Sequence, residues 1–175
     1  MGFFEGFGRL VKVGHDGEVE LRIGPAEREL LATLLPQLRS LLVDEAGSAE
    51  TGPTDPMLTR LFPSAHPDDP DEEGAYRALV HDDLLAVRLT NLDVVEQSLD
   101  AETLDAEQVG IWMRTVNELR LVLGTKLDVT EDDEPIAVDD DKALLYAAYS
   151  WLGVLLDDLI RASSSFPPEA PYHDT

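Results

Sequence analysis

Residues 141–162 carry the pattern that most restricts the fold. Leu145, Ala148, Leu152, Leu155, Leu159 and Ala162 recur there by alternating steps of three and four. Only an α-helix brings such positions onto one side, and Leu144 and Trp151 widen the stripe until it needs more than one neighbour to cover it. The chain must therefore supply other helices with apolar faces. After Gly24-Pro25-Ala26-Glu27, where proline suits a first turn and glutamate the positive helix end, Leu30, Leu31, Leu34, Leu35, Leu38, Leu41 and Leu42 follow helical spacing. Pro36 is expected to interrupt and kink that helix. A further helical stretch is expected from about Glu72 to Leu99, with Tyr76, Leu79, Val80, Leu84, Val87, Leu92 and Val95 facing the core and a break near His81-Asp82-Asp83. Asp105-Ala106-Glu107-Gln108 reads as a capping box. The helix it opens has Trp112, Val116, Leu119 and Leu123 on one stripe, and Gly124 stands where a helix-ending glycine would.

Ahead of these helices, residues 7–14 and 18–23 alternate in polarity around His15-Asp16-Gly17, a turn signal. They predict a β-hairpin over 7–23. A lone hairpin is marginal in water, so this one must lie on the helices or extend a partner's sheet. The expected fold is mainly α: a compact helical bundle with an N-terminal β-hairpin, forming one domain over 1–162, followed by a flexible tail over 163–175. Residues 45–57 and the acidic run 128–141 read as loops within that domain.

Composition narrows function. The 175 residues include 36 acids and 13 bases, a net charge of −23. Such a surface repels phosphate backbones and anionic headgroups, so nucleic acid is an unfavourable partner and a protein with a basic surface a favourable one. With no cysteine, disulfides, thiolate nucleophiles and cysteine zinc sites are excluded. The first residues lack the basic and apolar regions of a signal peptide, and no membrane span is read from the sequence, which together imply a cytoplasmic protein.

Constellations that could carry chemistry are weak. Asp68, Asp69, Asp71, Glu72 and Glu73 with His66 could hold a hard cation, but the spacing fits no EF-hand loop, and runs of acid are expected in so acidic a chain. Asp93 with Glu96, and Asp157 with Asp158, do not repeat the paired carboxylates of helical hydrolases. The four histidines lie far apart, and no nucleophile or phosphate-loop motif occurs. No cofactor is implied. Arg120, within an apolar helix of a chain poor in bases, has two readings: a structural tie to an acidic loop such as the Asp68-Asp69 turn, or an interface anchor. The cost of an unpaired arginine against apolar surface favours the tie.

Three strings resemble one family. Arg60-Leu61-Phe62-Pro63 with His66-Pro67-Asp68-Asp69-Pro70, then Asn117-Glu118-Leu119-Arg120-Leu121-Val122-Leu123-Gly124-Thr125-Lys126-Leu127, then Tyr149-x-Trp151-Leu152-Gly153 are similar in order and spacing to an actinobacterial family catalogued as domain of unknown function 2017. The resemblance covers residues 7–162. Genes of that family often neighbour the one for the ClpS adaptor, and some members are named oxidative-stress-responsive regulators acting through a cysteine pair. The resemblance implies a regulatory protein; thiol sensing does not carry over to a chain without cysteine.

The expectation is therefore a non-enzymatic regulator that binds another protein, in transcriptional or stress regulation, through the hairpin edge and the exposed end of the Asn117–Leu127 segment. Asn117, Arg120, Lys126, Asp68 and Asp69 are the candidate interface or tie residues, and a homodimer is compatible with this. The alternatives are a direct DNA-binding regulator, with Arg9, Lys12 and Arg22 on a wing, and a metal-dependent hydrolase using the acidic turns.

Overall fold

In the computed structural model, described for residues 9–14, 17–44, 55–58, 60–128 and 140–166, the leucine-rich C-terminal stretch is α4 (Asp140–Ser163). Its stripe of Ala148, Trp151, Leu152, Leu155, Leu159 and Ala162 is buried, as its spacing requires. Residues 142–163 are long and apolar enough to cross a membrane by length and composition, at mean hydropathy 1.4. Part of that hydropathy belongs to a core face, 39% of the stretch being buried, and among the described residues the largest helix interface is between α4 and α3 (Ala106–Lys126).

Two further helices complete a mainly α fold among the described residues: α1 (Pro25–Asp44) and α2 (Pro70–Gln97). α1 buries Leu31, Leu34, Leu35, Leu38 and Leu42, and it runs unbroken through Pro36, whose side chain is exposed. Its Arg39 reaches α2, donating to Asp93 at 2.7 Å and Glu96 at 2.8 Å, so that carboxylate pair serves as a helix tie. α3 begins at the expected capping box: Gln108 N donates to Asp105 Oδ1 at 2.8 Å, and Asp105 N to Gln108 Oε1 at 3.0 Å. Trp112 is wholly buried and donates from Nε1 to Ser98 Oγ at 2.9 Å.

The hairpin is present as β1 (Val11–Val13) and β2 (Val19–Leu21), antiparallel, with Gly17 at φ 78° in the turn. Of the 7–23 span, residues 7, 8, 15 and 16 lie outside the described set. The hairpin does lie on the helices. Val11, Val19 and Leu21 are buried, and the backbone N–H of Leu10 donates to Asp158 Oδ2 of α4 at 2.7 Å. A third strand, β3 (Thr103–Leu104), pairs with β2 to give the order β1-β2-β3. Two residues between helices were too few for alternation to reveal.

Three other expectations need correction. α2 does not break near His81; it is continuous from Pro70 to Gln97, and its cap is Asp69, whose Oδ1 accepts from the N–H groups of Asp71 and Glu72 at 3.1 Å. Its N-terminal half does not face the core either. Tyr76, Leu79, Leu84 and Val87 are exposed, Leu79 to 78%, because the elements packed on α2 meet Leu85, Leu92 and Val95 on the opposite side. Gly124 does not end α3, which continues to Lys126, with Asp128 beyond it at φ 57°. A side chain at Gly124 would place its Cβ 3.2 Å from Tyr149 Cε2, so the glycine permits the close approach of α4. The 128–141 loop is described only at Asp128 and where α4 begins. Of the tail, Ser163 ends α4, residues 164–166 follow it in a turn with Phe166 against the core, and the rest lies outside the described residues.

Candidate functional site

The spacing of Arg77, His81, Leu84 and Arg88, in steps of four, three and four, puts these side chains on one face of α2. The segment 60–63 runs beside that face, and α3 contributes Arg114, Asn117, Glu118 and Leu121 from below. Between them lies a cleft with two lobes that share Arg60, Leu61, Leu84 and Arg88. The larger, about 370 Å³, is lined by Phe62, Pro63, Tyr76, Val80, Arg77 and His81 besides the shared residues, and no carboxylate lines it. The smaller, about 270 Å³, lies over Asn91, Arg114, Asn117 and Glu118.

Arg88 organises the cleft. Its Nε donates to Glu118 Oε1 at 3.0 Å and its Nη2 to the Leu61 carbonyl at 2.7 Å, while the guanidinium stands 4.5 Å from the centre of the Phe62 ring. One side chain thereby joins α2, α3 and the 60–63 segment. Burial pushes the Glu118 carboxyl above its ordinary pKa, with Arg88 pulling the other way by charge and hydrogen bond. Glu118 Oε2, Arg88 Nη1 and His81 Nε2 are all buried and without a hydrogen-bond partner. His81, only 7% exposed, has its ring 5.5 Å from that of Phe62. Buried polar atoms left unpaired are uncommon in folded proteins, and three of them belong to residues lining one cleft.

At the rim, the acidic turn builds the start of α2. Glu73 accepts from the backbone N–H of His66 at 2.7 Å and pairs with Arg77. The His66 hydrogen bond first, helped by Arg77 and Ser64, brings the Glu73 carboxyl down to about 2 against the opposing effect of burial. His66 also stands edge-on to Tyr76 at 5.9 Å.

The family described as "Domain of unknown function (DUF2017)" matches residues 9–163, nearly the whole chain. The chain belongs to that family. A relative from Mycobacterium leprae (strain TN), provisionally named oxidative stress regulator AosR, is 27% identical over 146 residues, which cover 73% of this chain and 67% of the relative. No solved structure matches. The family strings identified in the sequence fall largely around the cleft and the α3–α4 contact: Arg60 to Pro63 wall the larger lobe, and Asn117 and Glu118 lie in the smaller one.

The five candidate residues do not converge in this DUF2017 protein. Asp69 caps α2, and Asp68 is exposed in the turn before it. Asn117 lines the smaller lobe, and Lys126 is exposed in the last turn of α3. Arg120 forms no ion pair with Asp68 or Asp69. Its guanidinium lies 4.8 Å from the centre of the Tyr149 ring, its Nε is buried without a partner, and Gly153 leaves room for it. The arginine that a carboxylate of α3 holds is Arg88, paired with Glu118, and sequence reasoning missed it. Its signal was the basic 77-81-84-88 face of α2, obscured because the same helix was assigned an inward apolar stripe. The acids of the turn do not gather either: among the described residues no group of three or more His, Asp or Glu side chains is placed to hold a metal ion. Asp158 is buried beneath the hairpin.

Proposed function

We propose that this DUF2017 protein is a non-enzymatic cytoplasmic regulator, in transcriptional or stress regulation, that acts by binding another protein through the outer face of α2. The observation that carries the reading is the exposed series Leu79, Asp82, Asp83, Ala86 and Val87, spaced by threes and fours along a helix whose other side meets the core. Leu79 at 78% and Val87 at 55% exposed have nothing over them among the described residues. A partner that laid an amphipathic segment along this face would cover both, and a segment bearing Lys or Arg would pair with Asp82 and Asp83. The occupant is thus a basic amphipathic segment, which the net charge of −23 would also draw in over longer distances. The name of the M. leprae relative supports the regulatory setting. The same negative field disfavours the DNA-binding alternative.

The test compares capture from native cytosol by the wild type, by Asp82→Lys/Asp83→Lys, and by Leu144→Lys as a control on α4, where Leu144 is 84% exposed. A stoichiometric partner kept by wild type and control, weakened by salt and lost with the α2 reversal, supports the reading. Equal retention by all three forms, or no partner at low or high salt, overturns it. A shift to dimer in sedimentation that the α2 reversal abolishes would make the occupant a second copy of the chain instead.

A further inference from the structure

We infer that the larger lobe of the cleft is a binding site for a small monoanionic carboxylate with an apolar body. Its walls divide into two kinds. Leu61, Phe62, Pro63, Tyr76, Val80 and Leu84 are apolar or aromatic and suit an aryl or short alkyl group. Arg77, His81 and Arg88 line it from one face of α2; no carboxylate does, although Glu73 pairs with Arg77 and Glu118 with Arg88 from outside the lobe. Hydrogen-bonding capacity, more than net charge, favours an anion here. Arg88 spends Nε on Glu118 and Nη2 on Leu61, which leaves Nη1 buried and unpaired. His81, two turns earlier on the same face, adds an unpaired Nε2, a donor in the tautomer that carries the proton there. Buried donors without acceptors are costly, and a carboxylate oxygen satisfies them with charge-assisted bonds. A volume of about 370 Å³ is at the small end of ligand sites, which fits a compact acid better than a nucleotide. Inorganic phosphate could meet the donors but would leave the apolar walls wet.

The site stands apart from the partner face. Leu79, Asp82 and Asp83 do not line the lobe, so each reading can fail alone. The experiment titrates phenylacetate, phenethylamine and inorganic phosphate into the full-length protein, reading the His81 imidazole nitrogens and the Tyr76 ring by NMR. Saturable shifts with phenylacetate are expected, at a Kd on the order of 0.1–1 mM for so small a ligand. Phenethylamine and phosphate should bind at least about tenfold more weakly. Val80→Phe, which fills the lobe, should abolish the shifts of Tyr76. His81→Phe, which keeps a ring against Phe62 but removes the donor, should weaken phenylacetate roughly tenfold and decides the matter if Val80→Phe does not fold. No saturation with phenylacetate, equal binding of the amine, phosphate binding as tightly as phenylacetate, or unchanged affinity in a folded variant would each overturn the proposal.

Discussion

Replacing Arg88 by methionine keeps most of the side chain's length and removes the guanidinium that holds the cleft together. Glu118 is 9% exposed, so its carboxylate would then be buried with no donor on either oxygen. Breaking one side of a buried pair costs about 3–5 kcal/mol, because the surviving charge is left uncompensated. The Leu61 carbonyl also loses its donor and the Phe62 ring its cation. These losses share one group and do not add, so about 4 kcal/mol is expected at pH 8. A carboxyl can escape by protonating, at about 1.4 kcal/mol per unit of pKa shift. Glu118 already titrates above its ordinary range because it is buried, and without Arg88 it rises further. Between the unfolded value of about 4.3 and that raised folded value, the native state holds more protons than the unfolded one, so stability increases as pH falls. Urea unfolding followed by the fluorescence of the buried Trp112 and Trp151 measures this directly. The deficit of Arg88→Met against wild type should be about 4 kcal/mol at pH 8 and at least about 1 kcal/mol smaller at pH 5.5. Adding Glu118→Gln should return most of the loss at pH 8. A deficit below about 1 kcal/mol, or one equal at both pH values, would show that water already screens the pair and refute the reasoning.

Two further outcomes rest on other carboxylates. Asp158→Ala should cost about 1.5–3 kcal/mol, the range for a hydrogen bond to a charged group, and should speed amide exchange at Leu10 and in β1 and β2 more than in α3; uniform exchange would mean the hairpin does not depend on that contact. Glu73, held at about 2, contributes stability that is present above its unfolded value of about 4.3 and lost as pH falls toward 2, so wild type should lose more stability than Glu73→Gln between pH 5 and pH 2 in thermal melts.

Elements whose signals are local could be read from the chain. The stripe of α4, the leucines of α1 and the Asp105–Gln108 box each specify a helix from neighbours a few residues apart, and the structure has them. The hairpin was legible for the same reason, since Gly17 and the flanking alternation lie within a dozen residues. What failed depended on distance. Leu79 and Val87 keep a core-like spacing although nothing packs on them, because periodicity reveals a face and not what covers it. Gly124 looked like a terminator because glycine has two uses at a helix end, and only the position of Tyr149 tells them apart. The cleft was invisible as a unit: Phe62, His81, Arg88 and Glu118 come from three stretches of chain, and no spacing rule links them. Arg120 drew attention as an arginine in an apolar helix. That logic was sound, but an aromatic ring rather than a carboxylate meets it.

The bond from Leu10 to Asp158 spans 148 positions of sequence, and β3, which completes the sheet, arrives only at Thr103. A ribosome makes β1 long before the part of α4 on which it docks. The hairpin, with Val11, Val19 and Leu21, must therefore wait for α4 before that contact can form. A strand made early is here secured by a helix made much later.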